Sequence, residues 1–462
     1  MSTFDLNIEK ILEHWTVADA IREIIANALD EQALTGTQDV EIFEDERGTW
    51  HVRDFGRGLS YEHLTQNESQ EKLNSKKPII GKFGVGLKDA LATLHRHGVE
   101  ISIRSPHGTI TTSMRSKHGF ESVHTLHAVI TPPPGEELRG TDVALRGVTR
   151  ETIDEAKQRF LRYSDETVLE ATRYGQVLGR GSRGKARIYI HGVLVAEEDG
   201  LLFSYNITDL TAPMRKALNR ERHNLGRSVY SDRVKQILLD CTSAEVANPL
   251  VEDLQRFKTG DQHDEVDWID VAAHACKLLN AAEKVVFMTA DQLSRYPDAT
   301  DRARHDGYRI VVVSDKVASK IRDARDATGA PVRDLAVFER EWNESFELRF
   351  VAPEQLTPEE RRIFEMHPDL FRAIGGRPRN VREVVVSETM RLEKGFEAAG
   401  LWQAQEKRIV IKRSELRDAA RFAGTLLHEA AHARSGATDC TRDFEDELTR
   451  LLGLLGRACV SA

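Results

Sequence analysis

Two sets of residues in this sequence have types and spacings that could do chemistry. Towards the C-terminal end, "GTLLHEAAHARSG" contains His428-Glu429-Ala430-Ala431-His432. Two imidazoles four residues apart share one face of a helix and can grip a single ion, and a glutamate beside them can take a proton from water activated by that ion. The pattern points to Zn2+ held by His428 and His432, with Glu429 as the catalytic base. The second set is spread over the N-terminal third. Glu23, Asn27 and Asp30 recur at i, i+4 and i+7, Asp54 is followed by Gly56 and Gly58, and Gly81, Lys82, Gly84, Gly86 and Lys88 lie in one short glycine-rich stretch. A glycine loop feeding a helix N-terminus offers free N–H groups to phosphate.

These groups need elements to hold them. "TVADAIREIIANALDEQ" predicts an amphipathic helix, with Thr16 as its cap and Asp19 as the capping-box partner. Val17, Ile21, Ile24, Ile25 and Ala28 form the apolar face, and Glu23, Asn27 and Asp30 fall together on the opposite side, a face that would otherwise read as solvated. A strand from Trp50 to Arg53 delivers Asp54. The glycine loop runs into a helix from Leu87 to Leu94, and Gly140-Thr141 opens another strand. For the histidine pair, "EKRIVIKR" predicts a strand, Ser414 a cap, and Glu415 to Ala433 a helix that Gly436 terminates.

The ordered N-terminal set resembles the GHKL ATPases, which include gyrase B, the large heat-shock chaperones, histidine kinases and MutL. The match is ExxxNAxD as Glu23-Asn27-Ala28-Asp30, DxGxG as Asp54-Gly56-Gly58, GxxGxG as Gly81-Gly84-Gly86, and a final Gly140-Thr141, over roughly residues 10–150. The resemblance implies that Asn27 ligates Mg2+, Glu23 positions or deprotonates the attacking water, and Asp54 accepts from the adenine amino group. It also implies that Gly84 and Gly86 let the lid backbone approach the phosphates, with Lys82 or Lys88 adding charge, and that residues 59–80 form the lid. GHL-type members dimerise when ATP closes the lid, so an ATP-dependent homodimer is expected.

A second phosphate-loop pattern, Gly179-x4-Gly184-Lys185, is set aside. Ala186 stands where a hydroxyl would hold Mg2+, and "ARIYIHGVLV" reads as a strand rather than a helix, with a hairpin at His191-Gly192. "LLFSYNI" predicts a further strand, and "MRKALNRERHNLGRSVYSDRVKQILLD" a basic segment entering a helix. By position, residues 151–245 match the transducer domain that sends a basic residue to the γ-phosphate in GHL ATPases. Arg220 and Arg222 are the candidates, against the alternative of plain surface charges. In residues 246–345, "EKVVFMT" and "YRIVVVSD" predict buried strands of a small α/β unit, separated by a polar, turn-rich segment. "GDQHDEVD" reads as a solvated linker or loop.

A strand leading into an HExxH helix resembles the zincin metallopeptidases, which add a third ligand and leave one position open. Downstream, "SGATDCTRDFEDELTRLLGLLG" predicts a second helix capped by Asp443. A glutamate on such a helix is the gluzincin pattern, so Glu445 is the first choice, with Asp439 and Glu447 as the alternatives. Ser435 and Thr438 stand where the metzincin continuation needs glycine and histidine. The spacing from His432 to Glu445 is shorter than in thermolysin-like enzymes.

The composition bounds the rest. A 462-residue chain with 40% hydrophobic and 30% charged residues is a globular protein of several domains. Its net charge of −9 advertises no nucleic-acid partner. Cys241, Cys276, Cys440 and Cys459 are scattered, which argues against a disulfide scaffold. The absence of a signal pattern or a long apolar run suggests a cytoplasmic, non-membrane protein. The fold class expected is α+β multidomain: an N-terminal Bergerat-type α/β sandwich (1–150), a transducer-like α/β region (151–245), an α/β connector (246–345) and a zincin-like α+β domain (346–462). The functional expectation is an ATPase whose nucleotide-driven change controls a zinc peptidase acting on protein substrates, in stress response or anti-phage defence. The rivals are an ATP-dependent chaperone or scaffold with a non-cleaving C-terminal domain, and a DNA-acting ATPase of the MutL or MORC kind.

Overall fold

A computed structural model describes residues 2–6, 15–65, 72, 79–80, 85–117, 120–133, 138–182, 184–218, 225–258 and 260–460. Gly81, Lys82, Gly84, Arg220 and Arg222 lie outside the described residues, as does most of the expected lid. The chain divides into two compact units, Met1–Val246 with His263–Val271, and Ala247–Gln262 with Ala272–Ala462. Among the described residues no helix is long and apolar enough to cross a membrane.

The first unit opens on a seven-stranded antiparallel sheet in the order Ser2–Asp5, Phe120–Thr131, Gly108–Lys117, Glu100–Ser105, Asp142–Arg146, Thr49–Arg53, Glu41–Glu44. The Val17–Thr35 helix packs against Val85–Arg96, Arg150–Lys157 and the Thr49–Arg53 strand. Its start is the expected capping box at Thr16 and Asp19, and Gly36 ends it at φ 67°. Ile21, Ile24 and Ile25 are fully buried, and their face joins Trp50, Leu91 and Leu145 in one core. The face carrying Glu23 and Asp30 is not solvated, because both carboxyls are buried as well. That combination of an apolar face and a buried polar one is what an internal site requires.

A second, five-stranded sheet follows, ordered Val193–Glu198, Ala186–Ile190, Ser204–Ile207, Gly175–Leu178, Val168–Ala171. The hairpin around His191-Gly192 forms as expected. "GDQHDEVD" departs from expectation. Asp264–Asp267 is a helical turn, and Glu265 is fully buried, accepting from the Leu202 and Phe203 N–H groups and from the Tyr205 hydroxyl at 2.8 Å. These three donors need an acceptor, and the sequence places it 60 to 63 residues away.

In the second unit, Val285–Thr289 and Arg309–Val313 pair in parallel as buried strands. The segment between them is helical, Ala290–Arg295 and Pro297–His305, rather than turn-rich, since Thr289 supplies a capping box with Gln292 and Pro297 starts the next helix. A four-stranded sheet, ordered Phe350–Val351, Glu383–Ser387, Arg408–Lys412, Gly400–Gln403, carries the histidine-bearing helix, Ala419–Ser435. The cap is Asp418, which accepts from the Arg421 N–H, and not Ser414. Arg413–Arg417 first makes a 3-10 turn with Glu415 and Leu416 buried, and this delays the helix by one turn. Gly436 closes the helix at φ 68°.

Candidate functional site

The N-terminal constellation assembles where the Val17–Thr35 helix meets the turns around Asp54, Gly86 and Thr141. Asp54 follows the Thr49–Arg53 strand and is buried. Its Oδ1 accepts from the Gly56 N–H at 2.9 Å and the Thr141 N–H at 3.3 Å, and the Thr141 side chain adds a further hydrogen bond to the carboxylate. Burial raises the Asp54 pKa above the ordinary value. Thr141 also accepts from the Leu59 N–H at 3.0 Å, tying the two turns together. Gly140 sits at φ 83°, and a Cβ there would lie 2.6 Å from both the Asp54 carbonyl carbon and the Phe55 Cα. Gly58 is also left-handed, at φ 90°.

Glu23 is buried and ion-paired with the equally buried Arg22. Gly86, in the first turn of Val85–Arg96, faces it: a Cβ there would lie 3.1 Å from the Glu23 Cδ and nearer still to its carboxylate. Lys88 and Asp89 follow one turn on, half-buried. Burial and then the Glu23 charge push Asp89 up to about 6. Asn27 is half-buried, and its Oδ1 accepts from the Lys72 ammonium at 3.2 Å. Asp30 is enclosed, accepting from Lys72 Nζ at 2.9 Å and the Ile80 N–H at 2.6 Å. The structure therefore brings Glu23, Asn27, Asp30, Asp54, Gly56, Gly58, Gly86 and Thr141 onto adjoining turns of one domain. Sequence reasoning missed Lys72 and the Glu31–Arg57 pair, in which Arg57 donates to Glu31 through its backbone N–H and its guanidinium.

The second constellation lies on the Ala419–Ser435 helix. His428 Nε2 and His432 Nε2 stand 3.2 Å apart, and both face Asp439 Oδ1, at 3.1 and 3.2 Å. All three donor atoms lie within 4.8 Å of one another. His432 Nδ1 donates to the Ala437 carbonyl at 2.8 Å, so the Nε2 of the neutral ring is a lone pair directed at the other two groups. Burial lowers the His428 pKa, favouring its neutral, ligating form. Glu429 is buried beside them. Burial pushes its carboxyl up to about 8 against a hydrogen bond from the Trp402 N–H. A cavity of about 740 Å³ opens over these groups.

The geometry gathers Asp439, the second choice for the third position, and leaves Glu445 outside. On the Arg442–Val460 helix the inward stripe is Phe444, Leu448, Leu451 and Leu455, so Glu445 is turned to solvent. Glu447 is taken up by Arg450 at 2.7 Å. Phe444 itself, missed in sequence, stacks on the His432 ring at 4.2 Å and meets His428 edge-on at 4.8 Å. The i, i+4, i+7 run of apolar residues starting at Phe444 was the signal for it.

Residues 16–118 match the family described as histidine kinase-, DNA gyrase B-, and HSP90-like ATPase, and residues 151–244 match the Mycoplasma pneumoniae MPN635 N-terminal domain. A Mycoplasma pneumoniae protein described as uncharacterized is 37% identical over 243 residues, covering 52% of this chain and 97% of the relative. A second protein from that organism, described in the same words, is 25% identical over 344 residues, covering 69% and 96%. The ATPase region of Saccharomyces cerevisiae topoisomerase II is similar at 9% identity and a TM-score of 0.28, over 51% of this chain and 85% of that one, too remote to support an argument. The chain belongs to one family with the Mycoplasma pneumoniae protein to which it is 37% identical, and carries at its N-terminus a GHKL-type ATP-binding and hydrolysing domain, with which Mg2+ goes.

Proposed function

We propose that the chain is an ATP-operated metallopeptidase, in which Mg·ATP binding and hydrolysis in the N-terminal unit controls a zinc site that cuts polypeptide in the C-terminal unit. The observation that carries the peptidase half is the convergence of His428, His432 and Asp439 beside the buried carboxyl of Glu429. Two imidazoles and one carboxylate fit zinc and leave a position open, as catalytic sites require. Zinc held there would polarise a water and the substrate carbonyl. Glu429 takes the proton of the attacking water as the new C–O bond forms, and gives it to the leaving nitrogen as the C–N bond breaks, so one water is consumed per bond cut. The Gly400–Gln403 strand ends its sheet beside this helix, and its edge suits an extended peptide. Residues 346–462 are then a zincin-like domain, with Asp439 in the place first given to Glu445.

In the ATP half, Asn27 ligates Mg2+. The Lys72 ammonium against its amide oxygen and Asp30 supports this, since that position already attracts a cation. Glu23 orients or deprotonates the attacking water, Asp54 accepts from the adenine amino group, and Thr141, Gly56 and Gly58 shape the base pocket. Gly86, with Lys82, Gly84 and Lys88, serves the phosphates, while Asp30 orders the Ile80 segment leading to them. Residues 151–245 act as transducer, Arg220 or Arg222 reaches the γ-phosphate, and ATP closes a homodimer.

The test is elemental analysis with proteolysis assays. Purified protein is expected to hold about one zinc per chain and to lose it in His428→Ala. Glu429→Gln should keep the metal and lose cleavage, and Glu23→Ala should bind Mg·ATP without hydrolysing it. Metal-free wild-type protein with intact ATPase activity would overturn the peptidase and favour the chaperone or scaffold reading, in which the Asp439–histidine contacts merely brace a helix.

A further inference from the structure

Glu393, which lines the cavity, belongs to a two-stranded ribbon, Leu392–Glu393 paired with Phe396–Glu397, whose turn is made by Lys394 at φ 51° and Gly395 at φ 85°. Its two glutamates have different fates. Glu397 is spent: Arg302 and Lys412 both donate to it at 2.8 Å, and it is nearly enclosed. Glu393 is exposed, has no side-chain hydrogen bond or ion pair among the described residues, and lines the cavity. The neighbouring cation Arg391 is turned away, its guanidinium 5.6 Å over the Phe346 ring. Among the described residues no lysine or arginine lines the cavity, and the wall from Ala398 to Gly400 is of small residues.

Resting on the peptidase reading above, we infer that this cleft selects polypeptides carrying a lysine or arginine next to the scissile bond, and that Glu393 is the residue that recognises the cation. A long aliphatic stem fits beside a wall of alanine and glycine, and its charged head meets a carboxylate that has no other partner among the described residues. An acidic side chain brought against Glu393 would place like charges together, so acidic substrates are rejected by the same arrangement. Gly400 lets its strand pack closely on the histidine-bearing helix: a Cβ there would lie 2.7 Å from both the Glu429 Cγ and the Thr425 Cγ2.

The experiment uses full-length zinc-loaded protein with Mg·ATP and quenched fluorogenic peptides of an alanine–leucine frame, in which one position is lysine, arginine, alanine or glutamate. Lysine and arginine peptides are expected to be cut with a kcat/KM about 10- to 100-fold above that of the glutamate peptide. Glu393→Arg should invert the lysine-to-glutamate ratio, and the isosteric Glu393→Gln should bring it near one, with zinc content confirming that each variant is folded. Equal rates on all four peptides, or a basic preference that survives in Glu393→Gln, overturns the assignment while leaving the peptidase intact. Failure of the wild type to cut any of them, with zinc bound, overturns the peptidase reading and this inference together.

Discussion

Gly140→Ala separates two costs that are usually confounded. Gly140 lies at φ 83°, which costs an alanine about 1 kcal/mol, and its Cβ would also run into the backbone at Asp54 and Phe55. Rotation of a side chain cannot relieve a clash with backbone, so the turn must move, at about 2 kcal/mol more. Gly98 is the matched control, at φ 72° with nothing within 4 Å of its Cβ, and it should pay the first cost alone. Calorimetry on the transition that rises with Mg·ATP reports the unit that binds nucleotide. Gly98→Ala should lower that Tm by about 2–4 °C and Gly140→Ala by about 6–12 °C. Because the displaced turn carries the Asp54 and Thr141 contacts, Mg·ATP affinity should fall at least about tenfold in Gly140→Ala and hold in Gly98→Ala. Equal Tm shifts in the two variants, or an unchanged affinity in Gly140→Ala, would refute the close-approach argument.

Asp89, raised from 3.8 to about 6 chiefly by burial, makes the folded state take up a proton, so its contribution is intact at low pH and is lost as pH rises through 6. Asp89→Asn should therefore be more stable than wild type above pH 6 by about 1 kcal/mol after discounting for partial exposure, with the gap closing towards pH 4; a gap that widens on acidification in denaturant titrations would reverse the assignment. Phe444→Ala removes the ring stacked on His432, and should cost about 3–5 kcal/mol and weaken zinc about 10- to 100-fold in chelator competition. Unaltered zinc affinity would show that the ring does not orient the imidazoles.

Local signals were the legible ones. The Thr16–Asp19 box, the Gly436 end and the hairpin at His191-Gly192 each depend on residues within a few positions, and each forms. Glu23 and Asp30 are readable as a face but not as a buried one, since burial depends on the Asp54, Gly86 and Ile80 turns brought in from elsewhere. The helix start at Asp418 competes with Ser414, four residues earlier and equally able to cap. The choice falls to Glu415, whose burial and bond from Thr425 at 3.3 Å form through tertiary packing. Asp439 is an exposed loop residue, placed by a turn in which Cys440 adopts φ 61°, and no periodicity encodes such a turn. Glu265 was hidden for the same reason at longer range, its acidic neighbours reading as solvated chain.

That last residue bears on how the protein is made. The first unit is discontinuous in sequence, taking back residues 263–271 after the second unit has begun. Until the 25 residues from 247 to 271 leave the ribosome, the Leu202 and Phe203 N–H groups and the Tyr205 hydroxyl lack their Glu265 acceptor. At about 5–20 residues per second, that is a wait of about 1–5 s in which the nascent ATPase unit is complete in every strand but not in its polar core. A chain released at Val246 would wait indefinitely.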